Sequence, residues 1–240
     1  MSTGVKETVI QFGEGGFLRG FVDYFFHKLQ EKGLYDGKIV VVQPIEKGMC
    51  QMLSDQNCEY NLFLRGIDNG QVVNEHTHVT SISRALNPYT QYEEYIVLAE
   101  NPDLRVLVSN TTEAGIEYLG TENLTDMPPK SYPAKLTQFL YKRYKAGFRG
   151  LILLPCELID DNGDNLKKCV LQYAKLWELE DGFTTWLEDE NDFCSTLVDR
   201  IVTGYPRDEV EELTKQIGYE DKLIDTAEIF HLWVIGGAPD

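Results

Sequence analysis

An α/β fold with a doubly wound, mainly parallel sheet is what the 240-residue sequence predicts, and three observations carry the prediction. Continuous β-branched runs such as "KIVVVQP" at 38–44 suit strands buried on both faces. Such runs alternate with segments of helical apolar spacing. The first strand–helix–strand unit begins within the first dozen residues, the usual opening of a Rossmann-like domain. One interruption is predicted. "YNLFLRGIDNGQVVNEHTHVTSIS" at 60–83 reads as two extended runs joined at Asp68-Asn69-Gly70, a β-hairpin inserted into the alternation.

The elements follow in order. "ETVIQF" at 7–12 is a short buried strand. The stretch 17–33 places Phe17, Leu18, Phe21, Val22, Phe25, Phe26 and Leu29 near helical spacing and stops at Gly33, predicting one helix. After the hairpin and Pro88 come a polar helix at 89–101 and the strand "LRVLVSN" at 104–110. A helix at 133–147 then precedes the strand "GLILLPCEL" at 150–158, and amphipathic helices follow at 165–179 and 183–190. Residues 1–200 read as a dinucleotide-binding domain and 201–240 as a connecting segment. The chain stops just after the apolar run "FHLWVIGG", which leads to the expectation that a further domain follows.

Composition narrows the partners. Against 39 acidic residues stand 22 basic ones, and a net charge of −17 repels nucleic-acid phosphates and anionic lipid. No apolar stretch nears the roughly 20 residues that span a bilayer, and "MSTGVKETVI" lacks the plan of a secretory signal. Five cysteines, odd in number and without a CxxC pair, suit reduced thiols in the cytoplasm better than disulfides or zinc. His76 and His78 share a strand face but lack a nearby third ligand, so no metal is expected.

The chemistry is expected at the carboxyl ends of the strands. In "VIQFGEGGFLRGF", Gly13 and Gly15 supply the first two glycines of GxGxxG, and Leu18 occupies the third place. Gly13 permits a tight turn, Gly15 lets backbone approach a pyrophosphate, and a helix N-terminus follows. The alternative is a plain strand–helix turn. Arg19 is free either to meet a phosphate or to pair with a surface acid. The second strand ends in Gln43-Pro44-Ile45-Glu46, where an acid would bond the adenosine ribose; Gln43 can bond a hydroxyl but cannot repel a 2′-phosphate, so NAD and NADP stay undivided. Asn110, Thr111, Thr112 and Glu113 close the fourth strand of the alternation and offer polar groups to a ribose, or cap a following helix.

Further along, Cys156, Glu157, Asn162 and Gly163 form a Cys-acid…Asn-Gly segment, and Val198, Asp199, Arg200 and Ile201 a Val-Asp-Arg-Ile core. With Gly13, Gly15, Phe17 and Arg19 of a GxGxFxR loop, these motifs resemble the long-chain polyol dehydrogenase family of mannitol dehydrogenases, mannitol-1-phosphate dehydrogenases and uronate reductases. The uronate reductases are the most similar branch. The resemblance implies NAD as cofactor and a small sugar acid as substrate, D-tagaturonate being interconverted with D-altronate. Fructuronate, mannitol or mannitol 1-phosphate are the alternative substrates, and an NAD(H) sensor without chemistry the alternative function. It implies that Val9, Ile10, Gln11, Phe12, Gly13, Glu14, Gly15, Gly16, Phe17, Leu18, Arg19 and Gly20 hold the cofactor, with Gln43, Asn110 and Thr111 beside it. Asp199 would lie at the substrate edge in a supporting catalytic role, or form a local ion pair with Arg200. Two departures matter. Leu158 stands where mannitol dehydrogenases carry an asparagine, and nothing matches the lysine-bearing helical C-terminal domain of the family. The chain therefore reads as the cofactor half of an enzyme, inactive alone, whose partner is the missing domain.

Overall fold

The computed structural model describes residues 4–112 and 114–237. In chain order it contains β1 (Glu7–Phe12), α1 (Gly16–Gly20), α2 (Val22–Glu31), β2 (Lys38–Val42), α3 (Cys50–Asp55), β3 (Tyr60–Asp68), β4 (Gln71–Val79), β5 (Ile82–Leu86) and α4 (Tyr92–Val97). Then come β6 (Val106–Ser109), α5 (Tyr132–Lys145), β7 (Ile152–Pro155), α6 (Asn162–Leu176), α7 (Asp181–Asp189), β8 (Asp192–Phe193), β9 (Ser195–Asp199), α8 (Val210–Ile217), β10 (Asp225–Glu228) and β11 (Leu232–Gly236).

Six strands form one parallel sheet in the order β5-β2-β1-β6-β7-β8. Numbered within the sheet this is 3-2-1-4-5-6, the doubly wound order whose direction reverses between β1 and β6. Side chains alternate between its faces with the two-residue period of a strand. Val9, Ile39, Val41 and Val108 face one layer with Phe21 and Val22. Ile10, Phe12, Val40, Val42 and Leu107 face the other, with Leu136, Phe139, Leu166 and Val170. The hairpin falls where the sequence puts it: Asp68 pairs with Gln71, and Asn69 and Gly70 both have positive φ (49° and 77°), the type I′ pattern. β10 joins β3 in parallel, and β11 joins β9 as an antiparallel ribbon. All five cysteines are free and buried. No helix among the described residues is long and apolar enough to cross a membrane.

Two segments differ from the sequence reading. The single helix expected over 17–33 is broken at Phe21 (φ −127°, ψ −84°). Long-range donors take the carbonyls that would continue it: Tyr60 Oη donates to Arg19 O at 2.7 Å, and Arg200 Nη1 to Gly20 O at 2.6 Å. No helix directly follows Asn110–Thr112, so these residues cap nothing; Glu113 lies outside the described residues. The next helix, α5, is capped by Ser131, whose Oγ accepts from Ala134 N at 3.3 Å.

Candidate dinucleotide site

The carboxyl ends of β1, β2 and β6 meet around the glycine turn. Gly13 has φ +126°, and a Cβ there would stand 2.8 Å from the Asn110 carbonyl oxygen, so this position admits only glycine without a shift of backbone. Its N–H donates to Val42 O at 3.1 Å, tying the turn to β2. Gly15 differs. It precedes α1 in extended conformation (φ −68°, ψ 166°), and a Cβ there would meet nothing within 4 Å. The turn thus presents bare backbone to open space, next to the first N–H groups of a helix, which have no intrahelical acceptor.

Buried acids and amides shape the walls. Glu14 Oε1 accepts from Met49 N at 3.1 Å, and burial pushes its pKa up. Gln43 is spent on its own loop: Nε2 donates to the Ile45 and Glu46 carbonyls at 2.8 and 3.0 Å, and Oε1 accepts from Cys50 N at 3.2 Å. On the β6 side Glu157 accepts from Ser109 Oγ at 3.0 Å and from both N and Oγ1 of Thr111 at 2.9 Å. Burial raises its pKa, opposed by these bonds. Asn110 Nδ2 donates to Cys156 O at 2.7 Å. Between these walls lies a cleft of about 230 Å³ lined by Pro44, Ile45, Thr111, Thr112, Gly115 and Tyr132 among others. A second, of about 370 Å³, is bordered by Glu46, Lys47 and Asn87. A larger cleft, about 660 Å³, lies beside β10 near Arg65 and Tyr205, with no glycine-turn residue in its lining.

The predicted site residues divide accordingly. Val9, Ile10 and Phe12 spend their side chains in the core, and Gln11 reaches beneath the turn. Phe17 stacks on Phe21 with centroids 5.1 Å apart, Leu18 is buried, and Gly20 abuts Val202. Gly13, Glu14, Gly15 and Gly16 form the turn itself. Arg19 corrects both sequence alternatives for its side chain. It is buried, donates to Leu223 O at 2.6 Å and pairs with buried Asp225 at 3.8 Å, so its guanidinium meets neither an open phosphate site nor a surface acid. Gln43 likewise spends both amide hydrogens on its own loop and has none to donate to a ribose. Asp199 is exposed on the outer face of the β9–β11 ribbon, opposite Leu232. Arg200 makes no ion pair with it: its guanidinium donates to the Gly20, Ile229 and Phe230 carbonyls and lies over the Tyr24 and Phe25 rings. His76 bonds Asn61 Oδ1 at 2.6 Å, and His78 bonds Glu59 at 2.9 Å.

Two residues known in the sequence only as parts of a motif turn out to organise the site. Glu157 fixes the Ser109–Thr111 corner. Asn162 joins three elements, with Nδ2 donating to Pro155 O, Glu157 O and Thr196 O, each at 3.0 Å, and Oδ1 accepting from Thr196 N at 2.8 Å. Gly163 lets α6 come close, since a Cβ there would lie 2.5 Å from the Cys194 carbonyl carbon.

A doubly wound sheet with a bare glycine turn at its point of reversal defines a Rossmann-type domain of the dinucleotide-binding class. More narrowly, the chain belongs to the mannitol dehydrogenase family, whose Rossmann-domain profile matches residues 7–239. It is 51% identical over 233 residues to the altronate oxidoreductase of Phocaeicola vulgatus, covering 95% of this chain and 49% of that protein. It is 47% identical over 242 residues to that of Bacillus subtilis, covering 99% of this chain and 50% of that protein. The chain spans about half the length of the curated relatives it matches. In fold it resembles the Pseudomonas fluorescens mannitol 2-dehydrogenase solved with NAD and D-mannitol (TM-score 0.82, 21% identity, 97% of this chain and 49% of that one). A D-sorbitol dehydrogenase is similar (TM-score 0.79, 22% identity, 97% of this chain and 50% of that one). The family resemblance and the fold read from the sequence are both borne out.

Proposed function

We propose that this chain is the NAD-binding half of an oxidoreductase that interconverts D-tagaturonate and D-altronate. The observation that carries the substrate is its identity of about one residue in two with altronate oxidoreductases. The cofactor reading rests on the turn. Gly15 and the N–H groups after it receive the pyrophosphate, and the cleft between Ile45 and Thr111 receives one end of the dinucleotide. With Gln43 committed to its loop, exposed Glu46 is the acid near the end of β2 available to a ribose; its carboxylate favours NAD over a 2′-phosphorylated cofactor. The bound nicotinamide supplies or accepts the hydride. The chain's part is to bind and orient it, with Asp199 facing outward at the substrate edge in a supporting role. A ketone reduction also needs an acid to protonate the forming alkoxide, and that group belongs to the partner half of the relatives' polypeptide.

Titration of the 240-residue chain with NADH, followed by energy transfer from its tryptophans, is expected to saturate. Adding D-tagaturonate is expected to oxidise no NADH. Lack of saturable binding overturns the cofactor reading, and turnover overturns the division of labour. Joining the chain to the remaining half of the Phocaeicola vulgatus relative tests the substrate. Reduction of D-fructuronate in preference to D-tagaturonate would refute the assignment.

A further inference from the structure

Directly beneath the glycine turn lies a closed polar cluster with no part in the function just described. It gathers Gln11 of β1, Arg19 of α1, Asp23 of α2, Tyr60 of β3 and Asp225 of β10, all buried. Gln11 Nε2 donates to Gly13 O at 3.1 Å and to Asp23 Oδ2 at 3.4 Å. Arg19 Nη2 stands 3.8 Å from Asp225 Oδ2, and its guanidinium lies 5.3 Å from the Tyr60 ring centroid. The Asp225 carboxylate is also what Gly16 rests on, for a Cβ at Gly16 would lie 3.2 Å from Oδ2. The turn is therefore bonded from below at Gly13 by Gln11, and at Gly16 the Asp225 carboxylate lies so close beneath it that a side chain there would press on it.

The charges in this cluster do not balance. Two carboxyl groups share one guanidinium out of reach of water. Asp23 Oδ1, Asp225 Oδ2 and Gln11 Oε1 have no hydrogen-bond partner among the described residues. Two buried carboxylates against one cation are costly, and one proton restores the count. Asp225 holds the ion pair, whereas Asp23 faces an amide. Burial pushes the Asp23 carboxyl up to about 7, opposed by the Gln11 bond and Arg19 and reinforced by Asp225. Burial takes Asp225 to about 6, with Arg19 and the Thr226 N–H holding it down. The other titratable groups facing the cluster are Tyr60 and Cys58, both raised by burial, Cys58 to about 11, and Glu14, also raised by burial, with Arg19 among the groups that hold it down. Asp221, beyond Tyr60, is tied to Asn61 N and Nδ2 at 2.7 and 2.8 Å.

We propose that Asp23 and Asp225 are positioning residues for the glycine turn, acting through Gln11 and Gly16, and that Asp23 carries a proton when the dinucleotide is bound. The inference rests on the reading of this turn as a dinucleotide site. An ionised Asp23 places uncompensated negative charge under the place that receives a pyrophosphate. Proton uptake and binding are then linked and reciprocal: the dinucleotide raises the Asp23 pKa, and the proton raises affinity. A rise of one unit on binding corresponds to an affinity change of about tenfold across the titration. The fold carries the same sign. Because the folded value of Asp23 lies above its unfolded one of 3.8, its contribution to stability is complete below about pH 4 and is lost as pH rises through about 7.

The test is the NADH dissociation constant of the 240-residue chain between pH 5.5 and 8.5, for the wild type, Asp23→Asn and Asp225→Asn. The wild type is expected to weaken about tenfold with a midpoint near pH 7, and Asp23→Asn to bind equally at both ends. Asp225→Asn releases Arg19 to Asp23 and is expected to move the midpoint down. A role in packing alone would shift affinity without moving the midpoint. A flat wild-type curve, or a slope that survives in Asp23→Asn, overturns the proposal. Should Asp23→Asn fail to fold, an unmoved midpoint in Asp225→Asn overturns it. If no variant binds NADH at any pH, it is the cofactor reading that has failed. Urea unfolding across the same range then decides the proton: stability falling with pH only where Asp23 is present supports its uptake, and parallel curves refute it.

Discussion

Gly15→Glu is expected to abolish NADH binding, weakening it at least about a hundredfold, while the domain stays folded. The two halves of this expectation come from one position. Gly15 has an extended backbone that any residue adopts, and its Cβ direction is open, so a side chain there meets no protein atom within 4 Å. Substitutions of that kind usually change stability by no more than about 0.5 kcal/mol. The same open space is where a pyrophosphate would approach bare backbone, and a carboxylate placed there both fills it and repels the phosphates. Gly15→Ala keeps the neutral charge and is expected to lose about tenfold, separating bulk from charge. Gly13→Ala is the contrasting control, since its Cβ would strike the Asn110 carbonyl and the loss would be one of fold. Measurement is by NADH titration beside a thermal melt. Undiminished binding in Gly15→Glu would reduce the turn to a connector between strand and helix.

A large loss of stability is expected from Asn162→Ala. This side chain is 1% exposed and makes four hydrogen bonds, to Pro155, Glu157 and both backbone groups of Thr196. Removing it leaves three buried carbonyls and one N–H without that partner, at a cost of about 3 kcal/mol. In a domain of this size that lowers the melting temperature by roughly 10 °C. Asn162→Asp keeps an acceptor for Thr196 N but turns an oxygen toward the three carbonyls, so it is expected to rescue little. Urea unfolding provides the measurement, and a loss below about 1 kcal/mol would show that the three elements are held together by packing alone.

Much of this architecture could be read from residue patterns because it depends on local rules. Unbroken apolar runs marked the sheet strands, and Asn69-Gly70 marked the hairpin, whose turn needs positive φ twice. The break at Phe21 could not be read so, because the donors that take the Arg19 and Gly20 carbonyls are Tyr60 and Arg200, 41 and 180 residues away. Within the site the glycine turn was visible and its supports were not. Arg19 sits where a phosphate ligand belongs by spacing, yet its carbonyl acceptor Leu223 lies 204 residues downstream. Gln43 lacks a free donor for a ribose for the opposite reason, its acceptors lying two and three residues along its own loop. An acid after a buried strand, as at Glu157, gives no sign in sequence of whether it points to solvent or into the corner it shapes.

The contacts of Arg19 and Arg200 also tie the start of the chain to its last part. Every strand of the six-stranded sheet lies before residue 194, so the first 200 residues contain the whole parallel framework. The glycine turn at its centre has its Val42, Asn110 and Gln11 neighbours at that length, but the segment after it still lacks others. Arg19 has no Leu223 or Asp225 to meet, and the Ile229 and Phe230 carbonyls that hold Arg200 against Gly20 do not exist. Closing a loop of some 200 residues carries an entropy cost, and these contacts can join only once residues 223–230 are present. A chain shorter than 230 residues therefore contains every strand of that sheet but lacks residues that brace the segment after the glycine turn.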